Sequence, residues 1–239
     1  MTKKIKYKRI LLKISGEVLA GDTGKLFDPD IIFNISKQIK EVQKMGVSVG
    51  IVIGGGNIWR FRDFKNLKFL NRTKSDTLGM TATLMNSVVF SEALNSIGAK
   101  SVVYSAIPSV KMAKDYIIEK AGEDFDDGKI VLFAGGTGSP FFTTDSAAAL
   151  RALEMKCDVL MKATKVDYVY DKDPMKFKNA KKFEKMSYED IIKNELGVMD
   201  LTCASMLSGS GIPMLVFNLN KNGNIKKAVV GEKVGTIIT

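Results

Sequence analysis

The chain has 239 residues, with 36 lysines and arginines against 26 acids, no histidine and two cysteines. Its net charge of +10, 45% hydrophobic content and mean hydropathy of +0.02 describe a chain able to bury a core. They exclude disordered and collagen-like classes. The missing imidazole excludes Ser-His-Asp, Cys-His and His-ligated metal chemistry, and Cys157 and Cys203 lack the spacing of a disulfide framework or a zinc site. No apolar run reaches the ~18 residues of a membrane span, and residues 1–9 are too basic for a secretory signal, so a cytosolic protein is expected.

In chain order, RILLKI (residues 9–14) reads as a buried strand. Asp28-Pro29 then opens a helix closed by Gly46, and VSVGIVI (residues 47–53) is the next strand. Helical periodicity spans residues 76–98, ahead of the strand KSVVYS. A helix over residues 111–121, a turn at Asp127-Gly128 and the strand KIVLFA follow, and GGTGSPFFTTD opens an alanine-rich helix running to Lys156. Beyond it come the strand DVLMK, a long lysine-rich connection and helices beginning at Ser187 and near Asp200. The strand IPMLVFNL, a helix over residues 225–230 and the strand GTIIT complete the chain. Strands alternating with helices predict a mainly parallel sheet covered on both faces, with no linker dividing the chain, hence one domain over residues 1–239.

In such sheets ligands bind beyond the carboxyl ends of the strands. Three strand-to-helix loops share one character there: Lys13-Ile14-Ser15-Gly16-Glu17, Gly54-Gly55-Gly56-Asn57 and Gly135-Gly136-Thr137-Gly138-Ser139. Glycines let backbone N–H groups approach an oxyanion, so three such loops on one edge describe a site for a polyphosphate and a second anion. Singly, each reads equally well as a tight turn. The Walker A and dinucleotide patterns fail, since Gly16 and Gly21 are followed by Asp22, and Trp59 stands where the dinucleotide fingerprint needs glycine.

Arg60, four residues past Gly56, suits a bidentate phosphate contact. Lys162 and Lys165 leave a strand end as Lys13 does, offering cations to a phosphoryl group in transfer. Asp145 and Asp200 both stand at helix starts, where capping is the favoured reading on residue chemistry alone.

Together, KISGE (13–17), GGGN (54–57), SDTLGMTATLMN (75–86), GTGSPFFTTDSAA (136–148), KATKVD (162–167), VMDL (198–201) and GEKVGTIIT (231–239) closely resemble the bacterial UMP kinases. These form the UMP-specific branch of the amino acid kinase superfamily, and the resemblance covers residues 8–239 in order. It implies a three-layer αβα sandwich of the amino acid kinase (carbamate kinase-like) fold. Residues 9–156 would mostly serve the monophosphate and residues 157–239 mostly ATP. It also implies a cytosolic homohexamer making UDP from UMP and ATP, with Mg²⁺ carried by ATP rather than by protein ligands. By position, Lys13, Ile14, Ser15 and Gly16 would hold the ATP phosphates, Gly56 and Arg60 would act at the transferred group, and Thr164, Tyr170 and Asp173 would line the adenosine side. Gly55, Asp76, Thr137, Gly138, Ser139, Pro140, Phe141, Phe142, Thr143 and Thr144 would bind UMP, with Asp76 on the ribose. The catalytic set would be Lys13, Lys162, Arg60, Asp145 and Asp200, with Asp145 orienting the lysines.

Many members respond to GTP through basic residues after the long helix. This chain has Ser91, Asn95 and Ser101-Val102-Val103 there, with Lys100 the only cation nearby. Weak or absent GTP activation is expected, with UTP inhibition retained. The competing enzyme reading is a superfamily member phosphorylating a carboxylate or carbamate. The reading of a different class, a nucleic-acid-binding or regulatory protein, rests on charge alone and shows no recognition motif. The charge also has a pattern: six cations (Lys3, Lys4, Lys6, Lys8, Arg9, Lys13) precede the first acid, and six lysines fall within residues 172–185. Lys13, Arg60, Lys162 and Lys165 are matched by Asp76, Asp145, Asp173 and Asp200, so nucleotide binding does not account for the excess.

Overall fold

The computed structural model describes residues 4–21, 25–64, 66–109, 111–172, 174–194 and 196–239. Strands β1 (Arg9–Ile14), β2 (Ser48–Ile53), β3 (Ser101–Ser105), β4 (Lys114–Asp115), β5 (Ile130–Ala134) and β6 (Val159–Thr164) come first in the chain. The short β7 (Val169–Tyr170), β8 (Lys182–Phe183) and β9 (Lys185–Met186) follow, then β10 (Met214–Asn218) and β11 (Gly235–Ile238). Nine of them form one sheet in the order β4-β3-β5-β2-β1-β6-β10-β11-β9, while β7 and β8 pair separately. Every pairing in the large sheet is parallel except β10 with β11. β1 lies at the centre and runs fully apolar at Ile10, Leu11, Leu12 and Ile14, as a strand buried on both faces must.

Alternate residues feed two cores. Ile10, Leu12, Ile51 and Met161 pack beneath α1 (Gly16–Ala20), α2 (Pro29–Lys44), α3 (Arg72–Ser96) and α8 (Asn224–Val229). Leu11, Val52, Val131 and Leu160 face the opposite layer. That layer comprises α4 (Ile118–Asp126), α5 (Thr144–Glu154), α6 (Tyr188–Lys193) and α7 (Leu201–Leu207). In α2 the Asp28 side chain accepts from the backbone N–H groups of Asp30 and Ile31, and Pro29 begins the helix. Ile32, Ile35, Ile39 and Val42 then form its buried stripe, each contributing about 1.5–3 kcal/mol.

Three expectations change. The long helix starts at Arg72, not residue 76, because the Asn71 side chain accepts from Lys74 N–H and caps it there. The helix expected over residues 111–121 is displaced: Lys114 and Asp115 pair with Tyr104 and Ser105 as β4, and α4 begins only at Ile118. The open edge of β3 supplies backbone partners that a helix at this point would forgo, and Tyr116 N–H also donates to Ser105 O. The lysine-rich connection contains β7, β8 and β9, pairs of residues too short to show a period. No helix among the described residues is long and apolar enough to cross a membrane.

The β3 edge is fixed by Asp124. It accepts from Tyr104 Oη at 2.8 Å and Lys114 Nζ at 2.9 Å, and is paired with Lys129. Burial alone would raise the Asp124 carboxyl, but these donors hold it down to about 2, from an ordinary 3.8. A lowered folded value means stability that is complete above pH 3.8 and lost as pH falls towards 2. Asp124→Asn is therefore expected to lower the melting temperature at neutral pH, with the gap from wild type closing as pH falls from 4 to 2. Circular dichroism melts across that range check it.

Candidate active site

The site forms where β2, β1 and β6 end side by side. Lys13 and Lys162 are register partners on adjacent strands, so both side chains rise on the α5 face. Asp145, in the first turn of α5, meets both: Lys13 Nζ lies 2.8 Å from Oδ1, and Lys162 Nζ lies 2.5 Å from Oδ2. Lys162 also donates to Val198 O at 2.6 Å. Burial pushes the Asp145 carboxyl up, and the two ammonium groups outweigh that and hold it below its ordinary value.

The capping expectation divides. Asp200 does cap α7, its Oδ1 accepting from Cys203 N–H at 2.8 Å. Asp145 does not cap α5, because Thr143 takes that position, accepting from the backbone N–H groups of Asp145 and Ser146. Freed from capping, Asp145 turns to the lysines. The Asp200 carboxylate also accepts from Ser146 Oγ at 2.7 Å and from Thr143 Oγ1, so it ties the start of α7 to the start of α5.

The first two glycine loops are packed against each other. A Cβ on Gly16 would lie 2.3 Å from Gly54 O and 2.9 Å from Gly56 N, so only glycine permits this approach. Asn57 is fixed by paired amide hydrogen bonds with Asn86, whose Nδ2 also donates to Gly54 O at 2.7 Å. Gly16→Ala is expected to cost about 1–3 kcal/mol by overpacking; a thermal melt checks it.

Ile14 is fully buried and can offer only backbone; its carbonyl accepts from Gly54 N–H. The Ser15 carbonyl accepts from Val18 N–H and its side chain makes no capping bond. Arg60 folds back: its Nε donates to Gly56 O at 2.6 Å and its guanidinium pairs with Glu17, a partner the sequence did not suggest. Thr164 and Tyr170 line a cavity of about 400 Å³ at the end of β6, whereas Lys165 is exposed just beyond that strand. Asp173, expected beside them, lies outside the described residues.

On the other side, Gly55, Asp76, Thr137, Ser139, Phe142 and Thr143 line a cavity of about 370 Å³. Asp76 Oδ2 accepts from Phe141 N–H at 2.9 Å and both its oxygens from Arg72 Nε, which joins the 136–144 loop to α3. Phe141 has a φ of 71°, a strained value for a residue with a side chain, and is held there by that bond. Gly138, with a φ of 82°, and Pro140 complete the loop. Between the two cavities lies a third, of about 330 Å³, containing Lys13, Asp145, Lys162 and Asp200. It shares Thr143 and Thr144 with the Asp76 cavity, and Gly197 and Val198 with the Thr164 cavity, so the three form one groove.

The residues missed by sequence reasoning act through this framework. Asn86 and Ser146 are small polar residues fully buried on helices, a weak signal that is visible only once burial is known. Arg151 is buried beneath the 136–144 loop, donating to Glu154 at 2.6 Å and to Gly136 O at 3.3 Å, with its guanidinium 3.8 Å from the Tyr116 ring centre.

A groove centred on two lysines and a carboxylate, with two glycine loops interlocked at the sheet edge, defines a phosphoryl-transfer class of protein. The sequence matches the amino acid kinase family over residues 8–218, and the chain belongs to that family. Among solved structures it is similar to the UMP kinase of Bacillus anthracis, with 36% identity, 98% of this chain and 96% of that one covered, and a TM-score of 0.94. It is also similar to the UMP kinase of Ureaplasma parvum, with 33% identity, 98% and 100% covered, and a TM-score of 0.91. The uridylate kinase of Archaeoglobus fulgidus matches at 30% identity, 96% and 99% covered, with a TM-score of 0.73.

Proposed function

We propose that the chain transfers the γ-phosphoryl group of ATP to UMP, giving ADP and UDP on the route of pyrimidine biosynthesis towards CTP. The observation that carries this reading is the continuous groove with Lys13, Asp145 and Lys162 at its middle and one cavity on either side. The similarity to UMP kinases across nearly the whole chain supports the choice of acceptor.

ATP lies on the side of Thr164 and Tyr170, reached by residues 157–239, with its phosphates over Ser15, Gly16 and Gly56. UMP lies against Gly55, Asp76 and the 137–144 loop, within residues 9–156. The two halves share one sheet and act as one domain. The attacking atom is a phosphate oxygen already ionised at neutral pH, so the transfer needs no general base and the absence of histidine costs nothing. Lys13 and Lys162 stabilise charge on the moving group, and Asp145 keeps the two ammonium groups at a fixed spacing. Arg60 moves from Gly56 O and Glu17 to the transferred phosphate. Mg²⁺ enters as MgATP, because, of the two central carboxylates, Asp145 already faces two lysines and Asp200 accepts from Cys203 N–H, Ser146 and Thr143.

A phosphoacceptor screen tests the reading: UMP should be turned over far faster than CMP, aspartate, acetylglutamate or carbamate. Turnover of a carboxylate or carbamate instead would move the chain to another branch of the family. In the same assay GTP should leave the rate nearly unchanged and UTP should inhibit by occupying the UMP side; a several-fold rise with GTP would overturn the first expectation.

The protein works in the cytoplasm as a homohexamer, and nucleic acid is not its main partner. An apolar stripe on α3 supports subunit contact: Leu78, Met85 and Val89 are 42%, 44% and 37% exposed on one face of the helix. Light scattering after size exclusion gives the assembly state.

A further inference from the structure

Three lysines and two glutamates surround a cavity outside the nucleotide groove. Lys185 of β9 is the register partner of Ile237 in β11, and Ile237 is the partner of Leu215 in β10, so these side chains form one row on one face of the sheet. The row continues through Met161 and Leu12, which lie in the buried layer beneath α2 and α8. The helical cover ends at α8, so Ile237 stays only half-buried and an apolar strip of sheet is left open. Over this strip lies a cavity of about 370 Å³, floored by Leu215, Ala228 and Ile237 and flanked by Tyr7 and Tyr168. That volume is within the range of small-molecule sites.

Three lysines from three distant segments line it: Lys6 from the N-terminal cluster, Lys185 from the 172–185 cluster and Lys233 from the turn before β11. Lys6 is held in place. Its own N–H and that of Tyr7 donate to Val229 O, and its stem lies over Gly231, where a Cβ would come within 2.6 Å of Lys6 Cδ. Two carboxylates, Glu184 and Glu232, also line the cavity, and Glu184 is paired with Lys182 at 3.1 Å.

We propose that this cavity binds a small organic anion with an apolar or aromatic body. The body rests on Leu215, Ala228 and Ile237 between the two tyrosines, and a phosphate, sulfonate or carboxylate head meets Lys6, Lys185 and Lys233. Apolar burial supplies affinity and the lysines select an anion. Tyr168 also lines the ATP-side cavity, so an occupant bears on the wall of the nucleotide groove. Only that coupling rests on the kinase reading.

The test is a titration of the intact protein with the aryl sulfonate dye anilinonaphthalene sulfonate, with ATP and UMP both saturating. One saturable site is expected, weakened at least fivefold by the double variant Lys185→Glu/Lys233→Glu and by Ile237→Trp, which fills the floor. Thermal melts and UMP turnover of both variants should stay near wild type. Competition by phenyl phosphate would assign a phosphate-bearing aromatic occupant, and competition by octanoate a carboxylate with an aliphatic body. Dye binding seen without nucleotides but lost when ATP and UMP are saturating, unchanged affinity in both variants, or competition by neither small anion would overturn the proposal. A failed kinase reading would appear separately, as absent UMP turnover with the dye titration unaffected.

Discussion

Lys13→Ala is expected to lower kcat about 10²–10³-fold, the usual cost of removing one preorganised donor at a centre where charge develops. The geometry says why the loss should fall on turnover rather than folding. Lys13 reaches the middle of the groove from the end of the central strand, and its ion-pair partner there, Asp145, keeps Lys162 when Lys13 is gone. Lys13 does not line the Asp76 cavity proposed for UMP, so KM for UMP should change little. A coupled ADP-release assay reads both parameters. Turnover within tenfold of wild type would remove Lys13 from the transfer step.

Asp145→Asn should be more damaging, because it affects stability and catalysis together. The substitution keeps the shape of the side chain and removes the negative charge that bridges two ammonium groups on adjacent strands. Breaking a buried ion pair on one side costs about 3–5 kcal/mol. The Asp145 side chain is 15% exposed, which places the expectation at about 3 kcal/mol, or roughly 6–12 °C in Tm for a chain of this size. The kcat should fall by at least about 10²-fold, since both lysines lose their common anchor. There is also a pH signature. The folded carboxyl titrates below its ordinary value despite burial, so its contribution is complete above about pH 4 and is lost as pH falls through the lower folded value. The Tm difference between wild type and variant should therefore shrink in acid. An Asn variant with normal Tm and normal turnover would show that Asp145 does not organise the lysines.

Much of this site is legible in the chain itself. The three glycine loops are contiguous runs of a rare composition, each directly after an apolar strand, so both the signal and its location are local. The same holds for Asp28-Pro29 at the start of α2 and for Asp200 at the start of α7, where a cap is a relation between neighbours. Asp145 shows the limit of such reasoning. It stands at a helix start as Asp200 does, and only the presence of Thr143 two residues earlier, and of two lysines across the sheet, decides that one carboxylate caps and the other pairs. Residues 111–121 show it again, since their helical pattern yields to an open strand edge supplied by β3, ten residues upstream.

By itself, then, the sequence determined the parallel sheet, the glycine loops at its edge, the cations Lys13 and Lys162, and a chemistry that works without histidine. These follow from periodicity, composition and short-range turn geometry, which act within a few residues. The tertiary structure alone decided that Lys13 and Lys162 are register partners, that Arg60 rests on Glu17, and that Asp200 ties α7 to α5. It also decided that Lys6, Lys185 and Lys233, far apart in the chain, line one cavity. Strand order and helix cover bring them there, and both are set by which apolar faces find each other across the whole chain.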